Sequence, residues 1–263
     1  MTITEKWLTM VLLCLSGSVI YWLPLFSDIF YIPMQNAFGF TKTQMGILLS
    51  TFGAVSLLAY FPGGWLADRF SPRKLITIAL LITAFAGFIF STLPSFEICL
   101  ILFAIWGITS AGILWSAMIK AARCWGRKEE QGKTYGILEG GRSISDVIST
   151  TILLAIFAYS SSVEKAVSEM IIMISFYILV LAFFVWRTMR DDISNDKKQP
   201  KVTINEIIYI LKLPVIWLIA LIIMATNTAM WGTLFFTPYA TEVYELGEVG
   251  GGAIGVGKYW VTP

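Results

Sequence analysis

The 263-residue chain contains no histidine. That absence removes His-ligated metal sites, Ser-His nucleophiles and imidazole proton relays together. Charge is scarce as well: 14% of residues are Asp, Glu, Lys or Arg, where a soluble domain carries roughly a quarter. The three cysteines fall in the first hydrophobic run (Cys14), near the outer end of the fourth (Cys99) and in a charged connection (Cys124), so no pair is placed to form a disulfide. There is no G-x-S-x-G, no nucleotide-binding glycine loop and no metal-ligand cluster. No catalytic residue, metal or cofactor is therefore expected, and the chain does not read as an enzyme. The run 214–240 has no lysine, which excludes a retinal-bearing photoreceptor.

What the chain does have is apolar length. Hydrophobic residues make up 57% of it, with a mean hydropathy of +0.75. A bilayer-crossing helix needs roughly 20 apolar residues, and seven runs qualify: 7–33, 44–66, 75–93, 97–119, 134–159, 167–186 and 214–240. The first, after "MTITEK", is too long for a cleaved signal and reads as a retained helix. The expected fold class is an all-α integral membrane protein.

Cations divide the connections. Lys6, Arg69, Arg73, Lys74, Arg123, Arg127, Lys128, Lys133, Arg187, Arg190, Lys197, Lys198, Lys201 and Lys212 fall on one side, fourteen of the nineteen Lys and Arg. The opposite connections hold only Lys42 and Lys165, so the positive-inside rule predicts a cytoplasmic N-terminus. The longest connection, around "RTMRDDISNDKKQPK", is polar and follows the sixth run, which predicts three parts: a six-helix bundle over 1–186, a cytoplasmic linker over 187–212 and an incomplete second bundle over 213–263. From Gly251 to Pro263 an ideal helix covers only about 20 Å against a hydrocarbon core of roughly 30 Å, so an eighth span is expected to be cut short and the chain to be part of a longer protein.

The stretch "GGWLADRFSPRK" lies between the second and third runs. Ser71-Pro72 reads as a helix N-cap and first-turn proline, and Arg69 suits the C-terminal end of a helix dipole. Asp68 is disfavoured by that dipole and calls for a partner. These residues resemble the signature of the major facilitator superfamily, G-x-x-x-D-[RK]-x-G-x-[RK]-[RK]: Gly64, Asp68, Arg69, Arg73 and Lys74 match, and Ser71 stands where the family usually has Gly. The resemblance implies two six-helix bundles, the second here partial, and alternating-access transport with a solute site between the bundles near the midplane. It also implies that Asp68 contacts helix ends and cations of the second bundle.

Two further signatures are missing. Phe103 stands where proton-coupled members often carry Arg, and "YGILEGGRSISDVIS" lacks the Gly-Pro pair of drug antiporters. The run "WSAMIKAARCWGRKEEQGKTYGILEGGRSISDV" is similar to the bacterial YihN-like branch, which resembles organophosphate and sugar-acid carriers. The expected activity is secondary active transport, by symport or antiport, of a small polar or anionic metabolite across a bacterial inner membrane. The expected partners are the lipid bilayer, the solute and a coupling ion, without nucleic acid, and the protein is expected to be monomeric. The alternative is that residues 1–263 form a truncated fragment that does not transport.

Ionisable residues within a span are costly and usually functional. Glu139, Arg142 and Asp146 fall on one face of the fifth run, and Arg142 and Asp146 lie about 14 and 20 Å beyond Lys133. Arg142 and Asp146 are spaced to pair at i, i+4. Either Arg142 engages an anionic or hydroxyl-rich solute with Asp146 as its partner, or Glu139, Arg142, Asp146 and Lys120 satisfy one another as a charge network; Lys120, three residues before Arg123, can also snorkel to the interface. In the first run Ser16, Ser18, Tyr21 and Trp22 have the depth to line a cavity, Tyr21 being the binding candidate. The organophosphate carriers' basic residue in this helix is absent. Asp28 reads as solvated near the outer end. Asn227 reads either as a solute contact or as a link to a neighbouring helix.

Overall fold

The computed structural model describes residues 3–160, 162–190, 209 and 212–261. Helices account for the regular structure of the described residues, and five helical stretches are long and apolar enough to cross a membrane. The first expected span does not cross as one helix. Helix α1 (Ile3–Val19) ends in a run of turns at 20–26, and α2 (Ser27–Phe38) resumes beyond it. Pro24 explains the break, because its ring opposes the carbonyl four residues earlier and it has no N–H to donate. Pro33 acts the same way inside α2, which bends at Phe30 (φ −107°, ψ 43°).

A capping box of Thr41 and Gln44 starts α3 (Lys42–Arg69). Ser71 occupies the N-cap and Pro72 the first position of α4 (Pro72–Phe90). The fourth span is continuous from Phe96 to Trp125: α5 (Phe96–Gly107), a π-helical stretch (Ile108–Trp115) and α6 (Ser116–Trp125). Helices α7 (Gln131–Ala158) and α8 (Val163–Thr188) follow. The linker expected at 187–212 lies almost wholly outside the described residues. The seventh run is interrupted: α9 (Pro214–Trp231) gives way to a 3-10 turn (Gly232–Phe235) and then α10 (Phe236–Val243). The eighth segment forms α11 (Gly247–Val261), starting earlier than the sequence suggested.

Helix α4 packs along α8, α3 against α5 and the π-helical stretch, and α1 against α7. Helix α11 lies on α7 and α2, with α10 beside it. The core between α4 and the fourth span is aromatic: Phe90, Phe103 and Trp106 are fully buried and meet edge to face at centroid distances of 5.1 to 5.9 Å. Phe103 thus fills the core. Helix α3 crosses the fourth span so closely that a Cβ on Gly63 would fall 1.9 Å from the carbonyl oxygen of Gly112. Only glycine fits there, and the crossing needs small residues as membrane helix contacts generally do. The outward faces carry large apolar side chains, among them Leu58, Phe61, Phe85, Phe176 and Phe183. In water such a surface would be an aggregation liability, whereas hydrocarbon covers it without cost.

Candidate functional site

The break in the first span opens a cavity of about 180 Å³. Its walls are Ser18, Tyr21, Trp22, Leu25, Phe26, Ile29 and Phe30 from the broken span, Arg142, Asp146, Thr150 and Leu153 from α7, Ile174 from α8 and Tyr259 from α11. Irregular backbone at membrane depth is tolerated where it is buried in protein or lines a cavity, and the turns at 20–26 do so here. Tyr21, Arg142 and Asp146, three residues singled out from sequence, share this one cavity. Ser16 does not line it: that side chain is buried with its hydroxyl unpartnered.

The pairing of these charges differs from the one that spacing suggested. Arg142 donates Nη1 to Glu139 Oε2 at 2.6 Å, one turn back, rather than to Asp146. Its guanidinium lies 5.0 Å from the ring centre of Trp115, and its Nε is buried without a hydrogen-bond partner. The side chain is 16% exposed. Asp146 is committed across to the first span instead, accepting from the Ser18 hydroxyl and from Trp22 Nε1 at 2.9 Å through the same Oδ1. Two donors facing Asp146 from the broken first span compete with a partner on its own helix that must bend back to reach it. Trp22 is steadied by stacking on Tyr177 at 5.8 Å.

Lys120 is not part of this network. Its Nζ donates to the carbonyls of Ala67 at 2.6 Å and Phe70 at 3.4 Å, closing the C-terminal turn of α3 where unsatisfied carbonyls collect. Asp28 is not solvated: it is 4% exposed, paired with Lys258, and accepts from the Tyr259 hydroxyl at 2.6 Å. The side chain of Asn227 lies outside what the structure describes. At the cluster 64–74, Gly64 has nothing within 4 Å of its Cβ position, Asp68 is exposed and makes no ion pair among the described residues, and Lys74 is exposed. Arg69 stacks on Trp65 at 3.9 Å and Arg73 on Trp186 at 4.2 Å.

Tyr259, Trp115 and Gly17 escaped the reading from sequence. A Cβ on Gly17 would meet Arg142 Cδ and Nε at 3.0 Å and Met118 Sδ at 2.5 Å, so this glycine makes the space that the arginine stem fills. The small-residue run "LSGSV" carried that signal. Tyr259 carried none, because nothing in sequence places α11 beside the first span.

A broken first span, a cavity with a few convergent polar side chains and an apolar exterior are those of a helical membrane protein. The chain belongs to the Major Facilitator Superfamily, whose model matches residues 7–258. It is 29% identical over 257 residues to inner membrane protein YqcE of Escherichia coli (strain K12), covering 96% of this chain and 60% of that protein. It is 30% identical over 262 residues to inner membrane protein YihN of the same organism, covering 96% and 61%. A shorter match, 27% over 125 residues, covers 48% of the chain and 29% of the Cupriavidus necator protein named "Probable sulfoacetate transporter SauU". The chain thus spans about three fifths of the length of YqcE and YihN. Among solved structures, an inward-facing, unoccupied bacterial homolog of the human lysosomal transporter Spinster superposes with a TM-score of 0.72 at 15% identity, over 98% of this chain and 61% of that one. That likeness is one of fold.

Proposed function

We propose that the protein is a secondary active transporter that carries a small polar or anionic metabolite by alternating access across a bacterial inner membrane, with its N-terminus in the cytoplasm. Arg142 is the residue that holds the solute's negative group, and Tyr21 and Asp146 complete the polar wall around it. One observation carries the proposal: Arg142 lines a cavity at membrane depth with only its Nη1 committed among the described residues, to Glu139 outside the cavity wall, while the carboxylate on that wall, Asp146, is bound to Ser18 and Trp22. A cation kept in hydrocarbon without such a task is costly. Membership of a transporter family, and the names of relatives that include an anion carrier, agree with it. Because the chain covers three fifths of its long relatives, transport by residues 1–263 is itself part of the proposal.

The signature positions Gly64, Asp68, Arg69, Arg73 and Lys74 are assigned a conformational role and no solute contact. Their side chains lie outside the cavity walls, and Asp68 is open to a further partner.

Equilibrium dialysis of the protein in lipid nanodiscs against radiolabelled sulfoacetate, glucose 6-phosphate and uncharged glycerol tests the charge preference. Saturable binding of at least one anion, with none of glycerol, is the expected result. Equal retention of glycerol and both anions would remove the assignment.

A further inference from the structure

Beyond the cation, the cavity's polar groups have a direction. Resting on the anion-binding role of Arg142, we infer that Tyr259 and the Asp146 carboxylate select for hydroxyl groups on the solute, acting as hydrogen-bond acceptors on the cavity wall. A hydroxyl has one proton to donate and two lone pairs to accept with. The Tyr259 proton is engaged by Asp28 Oδ2 at 2.6 Å, and Asp28 is itself fixed by Lys258. The Ser18 proton is engaged by Asp146 Oδ1, which also takes the Trp22 N–H at 2.9 Å. What Tyr259 has left to offer is its lone pairs, while Ser18, itself buried, holds Asp146 in place. Asp146 Oδ2 is the second acceptor, having no bond among the described residues.

A solute whose far end is bare hydrocarbon leaves these acceptors desolvated and unmatched, which costs more than the bonds themselves contribute. One that brings hydroxyl protons satisfies them. The same logic lets a site built to bond a hydroxyl reject the analogue that lacks it far more strongly than an apolar pocket separates two sizes. The cavity, about 180 Å³, is small, which suits a short solute. Asp28 and Lys258 act through Tyr259 and are positioning residues: they set which way its hydroxyl points.

Three probes on one three-carbon carboxylate skeleton test this: glycerate, with two hydroxyls; propionate, with none; and β-alanine, with an ammonium in place of a hydroxyl. Titration calorimetry on the protein in nanodiscs is expected to give glycerate an affinity at least about tenfold above propionate and above β-alanine. Tyr259→Phe keeps the ring and removes the acceptor, and is expected to cut the glycerate-to-propionate ratio by about tenfold. Ser18→Ala provides a second variant, with retained helicity and a monodisperse elution peak as the check on folding. Equal affinities for glycerate and propionate, or an unchanged ratio in both variants, would overturn the inference and leave the role of Arg142 intact. Preference for β-alanine would make the acceptor wall an ammonium site, which also overturns it. If no carboxylate binds, the anion-binding role falls, and this inference with it.

Discussion

The charges at 64–74 and the charges around the cavity are held by different means. In the first group, Arg69 stacks on Trp65 of the same helix, Arg73 on Trp186 of α8, and Asp68 and Lys74 are exposed. In the second, carboxylates answer to distant segments: Asp146 to Ser18 and Trp22, Asp28 to Lys258 and Tyr259. Surface charges of a membrane protein need only reach the interface, so a local pattern specifies them. Buried charges must be matched wherever the fold brings a partner, and the matching is a tertiary property.

That contrast breaks first at Asp28. Asp28→Ala removes the buried carboxylate that pairs with Lys258 and accepts from Tyr259, and we expect a loss of about 3 kcal/mol, part of it recovered by adding Lys258→Met. Thermal unfolding in a fixed detergent measures both. A comparable loss in the double variant would show that the pair itself stabilises rather than merely compensates. Next in size is Gly63→Ala, whose added Cβ meets backbone that cannot step aside; it should destabilise by about 1–3 kcal/mol. Gly64→Ala, one residue on and with open space before it, should be neutral or stabilising by up to about 1 kcal/mol through helix propensity. Lys120→Met frees the carbonyls of Ala67 and Phe70 and should cost about 1 kcal/mol. It should leave glycerate affinity unchanged, because Lys120 belongs to the helix end and not to the cavity. Smallest is Asp68→Asn, expected to move the melting temperature of this chain by less than about 2 °C. A larger shift would reveal a partner for Asp68 within residues 1–263.

The same contrast sets what was legible in sequence. The helical membrane class followed from the apolar runs, and the family from Gly64, Asp68, Arg69, Arg73 and Lys74, because a signature is local by nature. The candidates Tyr21, Arg142 and Asp146 followed from depth and polarity, and they converge on one cavity. Their partners did not follow. Spacing at i, i+4 allowed Arg142 to bind Asp146, but spacing counts only partners on one helix, and Ser18 and Trp22 are 128 and 124 residues away. Lys120 could be read as a network member or as reaching for the interface, because its depth was known and its direction was not. The break at 20–26 was present in the sequence as Pro24, inside a run whose hydropathy argued for continuity, and hydropathy is insensitive to backbone geometry. Asp28 and Tyr259 were out of reach, since their meeting requires the placement of α11 against α2.

Binding of glycerate to the wild-type protein and to Arg142→Gln, in the same nanodiscs, tests the role of the buried arginine most directly. Gln keeps much of the length and a hydrogen-bond donor but removes the charge. If Arg142 holds the solute's anion, affinity falls by at least about 100-fold while the thermal midpoint shifts little, because the Glu139 partner left behind is half exposed. Affinity within twofold of wild type would contradict it.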